Sequence, residues 1–120
     1  MDELVARLVA NVGVEKDAAE KSVGIILDFL RKEGPPDKVQ ALIDRLPGAE
    51  ALLKAQEADT GGGFGMGGIM GAGTKMMAAG LSMGQVQGVT REVIAYTREK
   101  AGEDAIGEIV GAIPGLSQFI

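Results

Sequence analysis

The side chains that most often carry out chemistry in proteins are missing from this chain, which has no histidine and no cysteine. Without histidine there is no group that ordinarily titrates near neutrality, and no imidazole base or ligand. Without cysteine there is no thiolate nucleophile, thiolate metal site or disulfide. Carboxylates, lysines, hydroxyls and a single tyrosine remain. Asp17 with Glu20, and Glu103 with Asp104, stand where helices are expected to begin, and a carboxylate there favours the helix dipole. No set of acidic residues has the alternating spacing of a calcium loop. Tyr96 falls on an apolar stripe, which predicts a core position and not an acid–base role.

Two glycine patterns could hold a phosphate by their letters alone. Gly63-Phe64-Gly65-Met66-Gly67-Gly68 fits the dinucleotide fingerprint, but that motif works only between a strand and a helix, and no strand precedes it. Gly71-Ala72-Gly73-Thr74-Lys75 resembles a phosphate loop with Thr and Lys in the wrong order, again without its strand. No catalytic, cofactor-binding or metal residue is assigned, and the chain is read as a non-enzyme.

Composition narrows the remaining classes. The net charge of −5 works against a nucleic-acid partner, because binding a phosphate backbone needs clustered Lys and Arg. Hydrophobic residues make up 46% of the chain but aromatics only 3%, so the interior must be aliphatic. The start Met1-Asp2-Glu3 does not read as a secretory signal, and a cytoplasmic protein is expected. Between Thr60 and Thr90 the only charge is Lys75, but eleven of the nineteen glycines lie there, too many for a membrane-spanning helix.

The elements that would position any site are helices. Leu4, Val5, Leu8, Val9 and Val12 recur at helical spacing behind a capping Asp2, which predicts a helix over residues 2–12 that Gly13 ends. A second helix is expected from about Glu15 to Lys32, with Ala19, Ser22, Ile26 and Phe29 on one face, ended by Gly34-Pro35-Pro36. A third starts near Asp37, carries Val39, Leu42, Ile43 and Leu46, and stops at Pro47-Gly48. A short helical turn through Ala49, Leu52 and Leu53 should fade at Gln56 into the glycine run.

Shifted by 67 residues, Gly13–Leu53 lies on Gly80–Ile120, and Gly13, Arg31, Asp37, Pro47 and Gly48 meet Gly80, Arg98, Asp104, Pro114 and Gly115. The apolar stripes coincide too, with Ile26 and Phe29 on Val93 and Tyr96, and Leu52 and Leu53 on Phe119 and Ile120. Ser82 and Gln85 have the spacing of a capping box, which predicts a helix from about Met83 to Lys100, with residues from about Met70 to Ala79 standing for the first helix. The fold expected is all-α: two pseudo-repeated three-helix units, 1–55 and 70–120, packed as one compact bundle and joined by a Gly/Met-rich connector at 56–69.

The copies differ in an informative way. Where the first has Asp17, Lys21, Gln40 and Asp44, the second has Gly84, Gly88, Gly107 and Gly111. Each mid-helix glycine costs about 1 kcal/mol relative to Ala, so some compensation is expected. Glycines four apart leave a bare ridge that another backbone can approach. Met66, Met70, Met76, Met77 and Met83 flank the same region, and methionine adapts to irregular surfaces. The candidate interface is therefore Gly84, Gly88, Gly107, Gly111, Met70, Met76, Met77 and Met83. Its occupant could be the chain's own Gly62–Gly73 segment, a second copy or another protein; equally, these positions could be internal packing beside a linker.

Met1-Asp2-Glu3-Leu4, the run Val23 to Arg31, the Leu46-Pro47-Gly48 stop and the closing Ile113-Pro114-Gly115-Leu116-Ser117-Gln118-Phe119 resemble the small bacterial helical proteins known as domain of unknown function 2267. The resemblance covers nearly the whole chain apart from the Gly/Met run. It implies a bacterial, duplicated helical protein without an assigned activity, and it supplies no catalytic residues. The leading expectation is a non-enzymatic interaction or structural module, with self-association or an unidentified protein as partner. Peripheral membrane or apolar-ligand binding through Phe64 to Met83 is the alternative, though the segment lacks a basic flank.

Overall fold

Glycine and proline punctuate the chain, and helices fill the intervals between them. A computed structural model describes residues 2–46, 48–60 and 68–113. Among the described residues there are seven helices and no strand: α1 (Asp2–Asn11), α2 (Lys16–Glu33), α3 (Pro36–Asp44), α4 (Ala49–Thr60), α5 (Gly68–Ala78), α6 (Met83–Ala101) and α7 (Glu103–Ala112). Together they form one compact all-α globule.

The stops follow from local chemistry. Gly13 and Gly80 end α1 and α5 with φ of +82° and +106°, a backbone region that costs other residues dearly. Gly34 closes α2 for a different reason. Its φ is −92°, and a Cβ there would lie 2.7 Å from the Leu30 carbonyl oxygen and 3.1 Å from Val39 Cγ2, so lack of space excludes a side chain. Pro36 opens α3 at the first helical position, where no backbone donor is needed. At the start of α6 the capping box is complete: Ser82 Oγ accepts from the Gln85 amide at 3.2 Å, and Gln85 Oε1 accepts from the Ser82 amide at 2.9 Å.

α2 is the centre of the globule. It touches α1, α3, α4, α5 and α6, and every residue from Ser22 to Leu30 is buried, well beyond the single stripe expected. The hydroxyls of Ser22, Thr90 and Thr97 are buried, and each donates to a carbonyl of its own helix, on Ala18, Val86 and Ile94 respectively. Asp28, also buried, is paired with Lys32 at 3.0 Å and Arg31 at 3.4 Å.

Adding 67 to the bounds of α1, α2 and α3 gives 69–78, 83–100 and 103–111, within a residue of α5, α6 and α7. Burial agrees at that offset: Val14 and Leu81, Ala19 and Val86, Leu27 and Ile94, Phe29 and Tyr96, Val39 and Ile106, and Leu42 and Ile109 are all buried. The packing is reciprocal, since α1 lies against α2 and α6 while α5 lies against α6 and α2. Agreement is weaker between α1 and α5. Val9 of α1 is exposed while Met76, 67 residues on, is buried.

One element differs from expectation. Where a short turn was expected to fade at Gln56, α4 continues to Thr60, because nothing before the glycine run stops it. Ala49 and Leu53 of this helix are buried, and it packs on α2. Of the expected connector 56–69, residues 56–60 and 68–69 are thus helical, and 61–67 lie outside the described residues. So does the stretch from Pro114 on, with the Gly115, Phe119 and Ile120 correspondences.

Candidate functional site

The corner between α5 and α6 is built from the residue types singled out in the sequence. At the end of α5, the Leu81 amide donates to the Met76 carbonyl at 3.2 Å and the Gly80 amide to the Met77 carbonyl at 3.0 Å, the paired bonds of a Schellman stop. This turn drives Leu81 and Met76 inward, where they are 4% and 2% exposed. Met77 and Met83 are left outside, at 47% and 55%. Ala78, Gly80, Ser82 and Gly84 are exposed beside them, so from Met77 to Gly84 the surface carries no charge.

The corner between α1 and α2 shares the positive-φ glycine and the buried plug but differs in its closing hydrogen bonds and its surface chemistry. Its Gly13 amide donates to the Leu8 carbonyl at 3.2 Å, and Val14 plugs the core as Leu81 does. At the positions matching Ser82, Met83 and Gly84, however, it exposes Glu15, Lys16 and Asp17. The two corners face a shared cleft of about 300 Å³ lined by Gly13, Val14, Ala18, Gly80, Leu81 and Gln85, among others. Gln85 crosses between them, its Nε2 donating to the Gly13 carbonyl at 3.3 Å. Among the described residues Glu15 is the only ionisable side chain in the lining, so no pair of acid and base groups is formed there by them.

The four mid-helix glycines do not share one environment. A Cβ at Gly88 would come within 3.3 Å of both Val12 methyl groups, so this glycine lets α6 sit closely on the end of α1. Gly84, Gly107 and Gly111 are exposed, and a Cβ at any of them would meet none of the described residues within 4 Å. Met76 belongs to the core and not to the surface, so of the sequence candidates Met77, Met83, Gly84, Gly107 and Gly111 remain accessible. The Met70 side chain lies outside the described residues, as do Met66 and residues 62–67 of the Gly62–Gly73 segment expected as one possible occupant, whose remainder is the first half of α5.

Sequence reasoning missed a charged cluster on the α1–α6 contact. Arg7 pairs with Glu99 at 2.7 Å and Glu92 at 3.4 Å, and its guanidinium lies 5.7 Å from the centre of the Tyr96 ring. Lys100 approaches the same ring at 5.4 Å. The hydrogen bond to Glu99 raises the Arg7 pKa further, so its charge is permanent at any ordinary pH. The seven-residue spacing of Glu92 and Glu99 on one helix was the available signal. Tyr96 itself is 3% exposed, in keeping with a core role. Lys38 and Glu108 form a second cross-link, between α3 and α7.

The other chemical candidates separate. Asp17 lies in the first turn of α2, and Glu103 and Asp104 in the first turn of α7, where they face the helix dipole. Residues 71–75 are the middle of α5, so the reversed phosphate-loop letters form no loop. The Gly63–Gly68 pattern lies almost wholly outside the described residues. Among the described residues no three acidic side chains group as a metal ligand set, and no helix is long and apolar enough to cross a membrane. A groove of about 180 Å³ between α2, α3 and α4 mixes Arg31, Glu50, Lys54 and Gln40 with Ile43 and Leu53. Compared with protein-family models, with curated proteins and with solved structures, the chain matches none.

Proposed function

We propose that this protein is a non-enzymatic interaction module that associates with a second copy of itself through the α5–α6 corner. The observation carrying this reading is the uncharged surface that Met77, Ala78, Gly80, Ser82, Met83 and Gly84 present, set against Glu15, Lys16 and Asp17 at the matching corner. Met77 and Met83 are both exposed at this uncharged corner, and the adaptable thioether side chain suits a contact surface. The reading also takes the chain as two related three-helix units, supported by the helix bounds, the burial pairs and the reciprocal packing at the offset of 67. In that view the first corner keeps ordinary surface chemistry and the second has departed from it.

Sedimentation velocity at micromolar concentration tests the association. The triple variant Met77→Ala, Met83→Lys, Gly84→Asp brings the second corner close to the chemistry of the first. It should leave helix content unchanged, since all three sites are exposed. Wild type should sediment as a dimer and the triple variant as a monomer. A wild-type chain that stays monomeric throughout removes self-association.

A further inference from the structure

Met76 and Met77 are neighbours in the chain, but their surroundings are opposite. Successive helical side chains point about 100° apart, so the turn that buries Met76 at 2% exposure turns Met77 outward at 47%. Met83, on the far side of Gly80, is more open still at 55%. Thioether oxidation requires the oxidant to reach sulfur, and exposure is what separates these three side chains. We propose that the α5–α6 corner is a modification site, at which a peroxide converts Met77 and Met83 to methionine sulfoxide without unfolding the protein.

The step is balanced. The methionine sulfur gives an electron pair to one peroxide oxygen, the O–O bond breaks, and one S–O bond forms while the second oxygen leaves as water. Sulfur is oxidised by two electrons and the peroxide is reduced by two. The product is a polar, chiral side chain in place of an apolar one, and enzymatic reduction can reverse it. At Met76 the same reaction would put a polar group into the core, at the cost of stability. At Met77 and Met83 it changes only the surface. The consequence for association rests on the reading of this corner as a contact; the selectivity of the oxidation does not.

The test treats the full chain with graded hydrogen peroxide, alongside the M77L/M83L double variant, which keeps apolar volume but removes the sulfur. Peptide mass mapping should find Met77 and Met83 oxidised about ten-fold or more faster than Met76, with unchanged helix content by circular dichroism. Oxidised wild type should self-associate about ten-fold more weakly than untreated protein, while the double variant keeps its association at the same dose. Comparable rates at all three methionines, or helix loss in step with Met77 oxidation, would overturn the site. Oxidised wild type that associates unchanged, or a double variant that loses association equally, would overturn the corner as the contact and leave the site to the mapping. If untreated wild type is monomeric, the contact reading fails, and the mapping alone still decides whether the site exists.

Discussion

The corner at Gly13 and the corner at Gly80 show how one backbone plan can serve two surfaces. Both run helix, left-handed glycine, buried plug, helix, with Val14 and Leu81 as the plugs. Beyond the plug the first presents Glu15, Lys16 and Asp17, and the second Ser82, Met83 and Gly84. Inward positions are held to one chemistry by the core they share. Outward positions are not, and that is where the corners diverge. The long helices differ likewise: α2 is covered by α4 and buries Gly24, Ile25 and Asp28, while α6 has Arg91 exposed and Glu92 and Ala95 half-buried at the matching places.

The comparison can be broken first in the core. Leu27→Ala and Ile94→Ala truncate matching side chains that are at most 2% exposed, and each should cost about 2–5 kcal/mol by urea denaturation. A cost under about 1 kcal/mol for Ile94→Ala would mean that α6 is not held as α2 is. Next come the turns. Gly13→Ala and Gly80→Ala force a left-handed residue at each corner and should each destabilise by about 1–2 kcal/mol, measured the same way. A silent change at one of them would show that its corner relaxes and that the shared plan is not required.

Smaller effects sharpen the contrast. Gln85→Ala removes one arm of the capping box and the bond to Gly13 across the cleft, and should cost about 1 kcal/mol. Gln85→Glu keeps an acceptor for the Ser82 amide but loses the donor to Gly13, so its difference from wild type measures the bridge between corners, and its difference from Gln85→Ala measures the cap arm. Last are the open glycines. Gly84→Ala, Gly107→Ala and Gly111→Ala should each stabilise the monomer by about 0.5–1 kcal/mol, because nothing in the described structure occupies the space a Cβ would take. If they stabilise the fold and leave association untouched, these glycines are not contact residues. Loss of association together with a gain in stability would place a partner surface on them.

Much of this architecture was legible before any coordinates. Gly13, Gly34, Pro35, Pro36 and Gly80 are read within a turn or two of chain, and the Ser82–Gln85 box is local as well, so the helix starts and stops came out within a residue or two. The length of α4 did not, because Gln56–Thr60 carries neither an apolar stripe nor a stop. The candidate surface was legible only as a set of residue types. The letters Met76 and Met77 are identical, and the four glycines look alike, yet one methionine is core and one surface, and among the described residues only Gly88 of the four has a neighbour against it.

By itself the amino-acid sequence determined the all-helical class, the positions of the turns and the absence of histidine and cysteine chemistry, because each depends on residues close together in the chain or on composition alone. Tertiary packing decided the rest: that α2 is enclosed, that Arg7 meets Glu92 and Glu99, that Val12 fills the gap at Gly88, and that Met77 and Met83 face outward. Those outcomes depend on how helices far apart in sequence lie against one another, and periodicity within one helix carries no record of its neighbours.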